Sequence, residues 1–191
     1  VVLAAGGGAY ALATKLGKHS TAPSGAGAST PPASSPATGG ASQASSPATS
    51  ASPTPSPTLS LVAIAPGVPA SATEAPVETL LSHYFNGINT HSYPEYASTL
   101  NPAEQAKQTQ AEFASGYSST TDSKMTLTGL SSTGNGGLTA TVTFTSHQSP
   151  AQSVDKSACN TWTLNLYLVP QGSGYLIGPA PSGYQPTHSD C

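Results

Sequence analysis

The sequence predicts an α+β domain in which three helices pack on a curved, four-stranded antiparallel sheet. The apolar residues recur with a helical period of about 3.6 before Asp122 and with a period of two after it. Helices precede strands instead of alternating with them, which excludes a doubly wound parallel sheet. Turn residues divide the second half into four consecutive apolar segments. One helical layer on one sheet face gives a domain of about 115 residues, enough for its own core.

The first predicted helix begins at Pro76, a residue suited to the first helical position. Apolar side chains recur along it at spacings of three and four and form one broad face. The members of this face are Val77, Leu80, Leu81, Tyr84, Phe85 and Ile88. Gly87 lies inside this run, where glycine lowers helix stability, so it predicts close packing against a neighbouring element.

Two further helices are predicted from their capping residues. Ser92 and Glu95 have the spacing of a capping box, in which each side chain accepts a backbone N–H of the first turn. Residues 101–104 (Asn-Pro-Ala-Glu) repeat the device and predict the start of the third helix. This helix is expected to carry three residues inward, namely Ala106, Phe113 and Tyr117.

Four strands follow in the predicted sheet. Met125 and Leu127 alternate with threonines in the first, and residues 134–137 (Gly-Asn-Gly-Gly) form a hairpin loop. The third strand runs from Cys159 to Val169 and is the longest. Its apolar row consists of Trp162, Leu164, Leu166 and Leu168. A short fourth strand spans residues 175–177, and the tail from 178 to 191 has no regular period.

Residues 17–75 are predicted to form a disordered stalk. Between residues 20 and 58 every residue except Gln43 is Ser, Thr, Ala, Pro or Gly. Such a segment has no large apolar side chains to bury, so burial cannot offset the entropy of ordering it. The apolar run 59–65 is assigned to the end of this stalk, with an extra edge strand as the alternative. The folded domain is expected to span residues 76–191.

Residues 1–16 are apolar or small apart from Thr14 and Lys15, and sixteen residues are fewer than the ~20 that span a bilayer. Three interpretations stay open. The segment is the end of a transmembrane helix that starts before Val1, the core of a signal peptide with residues 11–13 as its cleavage site, or a flexible apolar terminus. The first two place the rest of the chain outside the cytoplasm, and the first makes the membrane a partner.

The chain contains two cysteines, Cys159 and Cys191. In an extracellular compartment a disulfide between them would tie the Pro-rich tail to the sheet and contribute roughly 3–4 kcal/mol. Two free thiols are the alternative. A metal site is not expected, because His188 and Cys191 alone do not supply four ligands at a known spacing.

Composition argues against a nucleic-acid partner. The chain has five lysines, no arginine and a net charge of −3. After residue 58, three lysines stand against eight carboxylates, a balance that repels a phosphate backbone.

Several stretches of residues 76–191 carry a family resemblance. They are Tyr84–Tyr93, Phe113–Thr121, Cys159–Leu164, Tyr175–Ile177 and Tyr184. Together they resemble the nuclear-transport-factor-2-like cone fold, and most closely the small extracytoplasmic domains of this type in actinobacteria. The resemblance implies a cone- or cystatin-like sheet behind a membrane span and a stalk, in some proteins as the C-terminal part of a Ser/Thr kinase-type receptor. Ser92 replaces a common Asp and Tyr175 a common Trp of the family.

The resemblance also implies a test for catalysis, because enzymes of this fold such as ketosteroid isomerase place an Asp or His base and Tyr or Asp donors inside the cone. The apolar rows of the predicted sheet offer no ionisable group there. His83, His91 and His147 are expected to be solvated. We therefore predict no catalytic residue, no metal and no cofactor.

The favoured hypothesis is a non-catalytic extracytoplasmic sensor or interaction domain, at the cell surface or secreted. Its partner would be a small ligand or a component of the cell envelope, and a second copy of the chain is a further candidate. Candidate pocket residues are Tyr84, Tyr117, Trp162 and Tyr167. The alternatives are an isomerase- or cyclase-type enzyme using the cone pocket and a passive cell-wall spacer.

Overall fold

The computed structural model describes residues 59–71 and 73–191. The predictions for residues 1–16 and for most of the stalk lie outside these residues. The described residues form four helices and six strands. In chain order they are β1 (Ala63–Ile64), α1 (Glu74–Asn89), α2 (Tyr93–Ser98), α3 (Pro102–Gln105), α4 (Gln110–Tyr117), β2 (Thr121–Gly134), β3 (Gly137–His147), β4 (Cys159–Gln171), β5 (Gly174–Ile177) and β6 (Thr187–Asp190). The α+β class is confirmed. The predicted numbers of elements, three helices and four strands, are wrong.

The sheet is mixed. Strands β2 to β5 pair antiparallel in chain order, and β1 adds a short parallel pairing to β2 at one edge. The predicted hairpin loop joins β2 to β3, with positive φ at Gly134, Asn135 and Gly136. Strand β6 pairs with the first residues of β4, while β5 pairs with its last residues. Residues 164–167 in the middle of β4 therefore pair with neither β5 nor β6.

The apolar run 59–65 belongs to the packed domain, so its assignment to the stalk is wrong. Val62 is 2% exposed in the core, and Ala65 donates a 2.9 Å backbone hydrogen bond to Leu127. Val68 is buried as well. Burying these side chains stabilises the packed arrangement despite the prolines that follow them. The domain therefore begins before the expected boundary at residue 76.

Helix α1 begins at Glu74, two residues before the expected start. Gly87 allows the close contact with α2 that was predicted, since a Cβ there would lie 2.6 Å from the backbone nitrogen of Tyr96. Ser92 caps α2, but the expected capping box is only half formed. Its second half is absent because the Ser92 N–H already bonds to the Gly87 carbonyl, and the Glu95 carboxylate accepts from the Asn86 amide instead.

The predicted third helix is two helices. Asn101 caps the four-residue α3, and Thr109 then starts α4 with a complete capping box to Glu112. This second capping signal ends the continuous helix that the sequence suggested. Phe113 is buried as expected, whereas Ala106 lies at the break and is exposed.

The tail ends in a strand that the sequence did not predict. Thr187–Asp190 pairs with β4, and all four of these residues are exposed. Cys191 then forms the predicted disulfide with Cys159, with the two Cα atoms 5.5 Å apart. Residues 187–191 are therefore held to the sheet by backbone pairing, by one covalent bond and by the stack of His188 on Trp162. No helix in the described part of the chain is long and apolar enough to cross a membrane.

Candidate functional site

A cavity of about 460 Å³ lies beside the middle of β4. Residues 164–167 of β4 form one side of it, between the segments that pair with β6 and β5. Residues of α1 and of the segment from α2 to Gln108 also line it, together with residues of the C-terminal tail. The lining residues outside β4 are Tyr84, Tyr96, Leu100, Glu104, Lys107, Gln108, Ile177, Gly178, Ala180, Pro181, Ser182, Gly183, Tyr184 and Gln185.

Tyr84 and Tyr96 form the aromatic part of the helical side. Their ring centroids are 5.4 Å apart, and both side chains are almost fully buried in the core. Burial raises the pKa of Tyr96 to about 12 and raises that of Tyr84 well above its usual value. Both phenols are therefore neutral at physiological pH, so neither adds charge to the cavity.

The tail is tethered to the edge of β4 at two points along the cavity. The Gly178 N–H donates to the Tyr167 carbonyl at 2.7 Å, and the Asn165 N–H donates to the Tyr184 hydroxyl at 2.6 Å. The rings of Tyr167 and Tyr184 also meet edge to face, with centroids 5.5 Å apart. These contacts take the place of strand pairing in this part of β4 and hold the tail as a wall of the cavity.

Gln108 and Asn165 are two of the neutral polar residues of the lining. Gln108 is 7% exposed, and its side-chain carbonyl has no hydrogen-bond partner among the described residues. The Asn165 side-chain carbonyl accepts from the Thr141 hydroxyl at 2.8 Å. Glu104 and Lys107 also line the cavity, and they form an ion pair with each other.

A buried acid lies behind the tyrosines. Asp122 is 3% exposed, and its carboxylate has no hydrogen bond of ordinary geometry within the described residues. Burial raises its pKa to about 6, with the neighbouring Ser146 hydroxyl opposing the shift. The proximity of Asp122 contributes to the raised pKa values of Tyr84 and Tyr117, although burial is the largest cause for both. The acid therefore neighbours a cavity residue but does not itself line the cavity.

The structure separates the four candidate pocket residues. Tyr84 and Tyr167 line the cavity, while Tyr117 is fully buried behind Tyr84 and Tyr96 in the core. Trp162 lies elsewhere on β4, where it stacks on His188 with ring centroids 4.4 Å apart. His188 is in turn 3.3 Å from the Asp155 carboxylate, which makes this a structural contact of β6.

Sequence reasoning missed Tyr96, Gln108, Asn165 and Tyr184 as lining residues. Tyr96 follows the Ser92 capping signal directly, and its aromatic character was the one available indication. Tyr184 had been noted only for the family resemblance. No periodicity could place the tail that carries it, because the tail has no regular structure between residues 178 and 186.

None of the described histidines lines the cavity. His83 is exposed as expected but has a carboxylate partner, with its Nδ1 3.0 Å from Glu95 Oε1. His147 lies beside the disulfide, 3.6 Å from the sulfur of Cys159. Within the described part of the chain, no group of three or more His, Cys, Asp or Glu side chains is placed to hold a metal ion.

Comparisons with protein-family models, with curated proteins and with solved structures found no match to this chain. The resemblance to the nuclear-transport-factor-2-like fold therefore stays a prediction, and the cavity has to be interpreted from its own chemistry.

Proposed function

We propose that this protein is an extracytoplasmic sensor or interaction domain that binds a small molecule in the cavity beside β4. The observation that carries the proposal is the cavity itself, about 460 Å³ in volume and lined by apolar side chains, four tyrosines and a few polar groups. This size and mixture are typical of sites for small organic ligands. The disulfide is compatible with the extracytoplasmic location, as is the Ser/Thr/Pro-rich segment that precedes the domain.

The lining residues of the cavity are better suited to binding a ligand than to catalysing a reaction. The ionisable side chains among the lining residues are Glu104, Lys107 and tyrosines. Glu104 and Lys107 are occupied with each other, and burial keeps Tyr84 and Tyr96 protonated. No lining residue is thus a base ready to accept a proton near neutral pH.

One observation favours an isomerase- or cyclase-type enzyme as the second candidate. Asp122 has a pKa of about 6 and neighbours Tyr84, a combination of a tuned acid and a phenol donor that proton-transfer enzymes use. Asp122 does not line the cavity, so this candidate requires a proton relay between the acid and a substrate. Turnover of a ketosteroid or polyketide-like substrate that Asp122→Asn abolishes would establish this candidate.

A fragment screen by NMR on the isotope-labelled full chain tests the binding proposal. Bound fragments are expected to shift the signals of Gln108 and Asn165 and of tail residues such as Tyr184. Ala180→Trp, which places an indole at the cavity wall, should abolish these shifts. Ser173→Trp, a change of the same size in an exposed turn outside the lining, should leave them unchanged.

The proposal fails if no fragment shifts cavity residues in the unmodified chain, a result that favours the passive spacer. It fails equally if the fragments bind Ala180→Trp as well as they bind the unmodified protein, because their site would then lie elsewhere.

A further inference from the structure

We propose that the disulfide between Cys159 and Cys191 is a redox latch, which a thiol reductant opens in the folded protein and which then releases the end of the tail from the sheet. The proposal stands on the exposure of the bond, on a histidine beside one of its sulfurs and on the exposed strand that the bond holds. Its consequence for the cavity rests on the proposed binding function, whereas the opening of the latch does not.

The disulfide lies where a thiol can reach it. Cys191 is exposed, and Cys159 is half-buried at the start of β4. Exposed disulfides tend to be the labile or regulatory ones, whereas structural disulfides resist reduction by thiols such as glutathione. A reductant therefore does not depend on unfolding of the domain to reach this bond.

His147 favours the departure of one of the two sulfurs. It lies directly opposite Cys159 in the pairing of β3 with β4, and its Nε2 is 3.6 Å from the Cys159 sulfur. An imidazole N–H at this position donates to the thiolate that forms as the bond breaks, and a better-stabilised thiolate leaves faster. The Cys191 sulfur has a neutral neighbour instead, the Thr161 hydroxyl at 3.9 Å. Cys191 is therefore the sulfur that is attacked, and Cys159 is the one that leaves.

Opening the latch takes two thiol–disulfide exchanges. A reductant thiolate attacks the Cys191 sulfur and forms a mixed disulfide, while the electron pair of the broken bond leaves with the Cys159 sulfur. A second reductant thiolate then attacks the reductant's own sulfur in the mixed disulfide and releases the Cys191 thiolate. Two reductant thiols are thus oxidised to one disulfide, and the two cysteines take up the protons that these thiols lose.

Strand β6 is expected to leave the sheet once the bond is broken. All four of its residues are exposed, so its pairing with β4 buries little, and segments with few buried contacts open most easily. One side chain of the strand, His188, contacts both Trp162 and Asp155. The core should stay folded, because its last buried apolar residue in the described part of the chain is Ile177.

Release of β6 would loosen one wall of the cavity. Residues of the segment 178–186, between β5 and β6, line the cavity. With the latch closed, this segment is anchored at both ends. With the latch open, its far end is held by Tyr184, through the hydrogen bond to the Asn165 N–H and the ring contact with Tyr167. Reduction should therefore increase the mobility of the wall and weaken binding in the cavity.

Reduction of the native full chain by glutathione tests the latch. We expect alkylation and mass spectrometry to show both cysteines as thiols while circular dichroism shows a folded domain. Hydrogen exchange should become faster across residues 178–190 and stay unchanged in α1.

Substitution of the histidine tests the assigned direction of attack. His147→Leu should slow reduction about tenfold, the effect of losing one hydrogen bond to a charged sulfur. His83→Leu is the matched control, because His83 is also exposed but pairs with Glu95. Exchange in β6 of the oxidised protein should be the same in both variants, which excludes a looser or tighter strand as the cause.

Reduction by glutathione only after the domain is unfolded in urea would overturn the latch. Reduction without faster exchange across residues 178–190 would overturn it as well, because the bond would then not be what holds the tail. Equal rates for His147→Leu and the unmodified chain would overturn the choice of Cys159 as the leaving sulfur. Fragments that bind the oxidised and reduced chains equally well would remove the link to the cavity. An absence of fragment binding to the oxidised chain would remove the proposed function and leave the latch standing.

Discussion

The hydroxyl of Tyr184 accepts a 2.6 Å hydrogen bond from the backbone N–H of Asn165, where β4 has neither β5 nor β6 beside it. The bond joins a residue of the irregular tail to the edge of the central strand. It lies at the cavity wall, so the shape of the cavity depends on a side chain remote from Asn165 in the sequence.

Removing that hydroxyl should loosen the wall without unfolding the domain. Tyr184→Phe is expected to cost about 1 kcal/mol, the usual effect of losing one hydrogen bond, and to speed amide exchange between residues 178 and 186. Hydrogen exchange measured by mass spectrometry reports this directly. Tyr175→Phe is the matched control, since Tyr175 does not line the cavity. Equal exchange in the two variants would show that Tyr184 does not hold the tail.

The disulfide should dominate the stability of the tail. The residues of β6 are all exposed, so the strand gains little from burial, whereas a bond between cysteines 32 positions apart contributes about 3–4 kcal/mol through loop closure. Cys159→Ser combined with Cys191→Ser should lower the free energy of unfolding in urea by that amount. A reductant should destabilise the unmodified protein and leave the double variant unaffected. Reactive thiols in the native protein would contradict the bond.

Asp122 should make the domain less stable as the pH rises from about 4 to 6. Its pKa is about 6 in the folded state against an ordinary value of 3.8, so the folded state binds the proton more tightly. That preference stabilises the fold fully below pH 3.8 and is lost as the pH rises through 6, a change of about 3 kcal/mol.

Asp122→Asn should remove this pH dependence, because the amide cannot ionise. The difference in unfolding free energy between the two proteins, measured by urea titration at a series of pH values, cancels the contributions of the remaining carboxylates. It should shift in favour of the variant as the pH rises from 4 to 6. A difference that stays constant over this interval would mean that Asp122 titrates alike in the folded and unfolded chains.

Elements with a regular apolar period were predictable from the sequence. The row from Trp162 to Leu168 lies in the core, and Val142 lies opposite Leu164 in the middle of the sheet. The apolar period shows which face of a segment is buried, and capping residues show where a helix begins. Both signals lie within the segment itself, so they located the long helix and the long strands.

The cavity could not be predicted in the same way, because it depends on packing between segments distant in the sequence. The tail of residues 178–186 becomes a wall only through contacts with the edge of β4, such as the one between Gly178 and Tyr167. Gln108 lies just before the Thr109 cap and has no periodic partner that would mark it as buried. Tyr117 and Trp162 were aromatic candidates, but position in the core, and not residue type, decides which ring meets the cavity.

Gly87 does not line the cavity, but a methyl group added at this position should disturb the cavity. A Cβ there would lie 2.6 Å from the backbone nitrogen and 2.8 Å from the Cα of Tyr96, and backbone atoms cannot move aside as a flexible side chain can. Gly87→Ala should therefore push α2 away from α1 and cost about 1–3 kcal/mol by overpacking, despite the better helix propensity of alanine. Because Tyr96 lines the cavity, bound fragments should also lose affinity.

Gly67→Ala is the control for this change, since nothing lies within 4 Å of a Cβ at that position. Thermal and urea unfolding should show little effect of Gly67→Ala and a clear loss for Gly87→Ala. If Gly87→Ala instead stabilised the protein, helix propensity would outweigh the contact, and α1 and α2 would have to be farther apart than the distance to Tyr96 indicates.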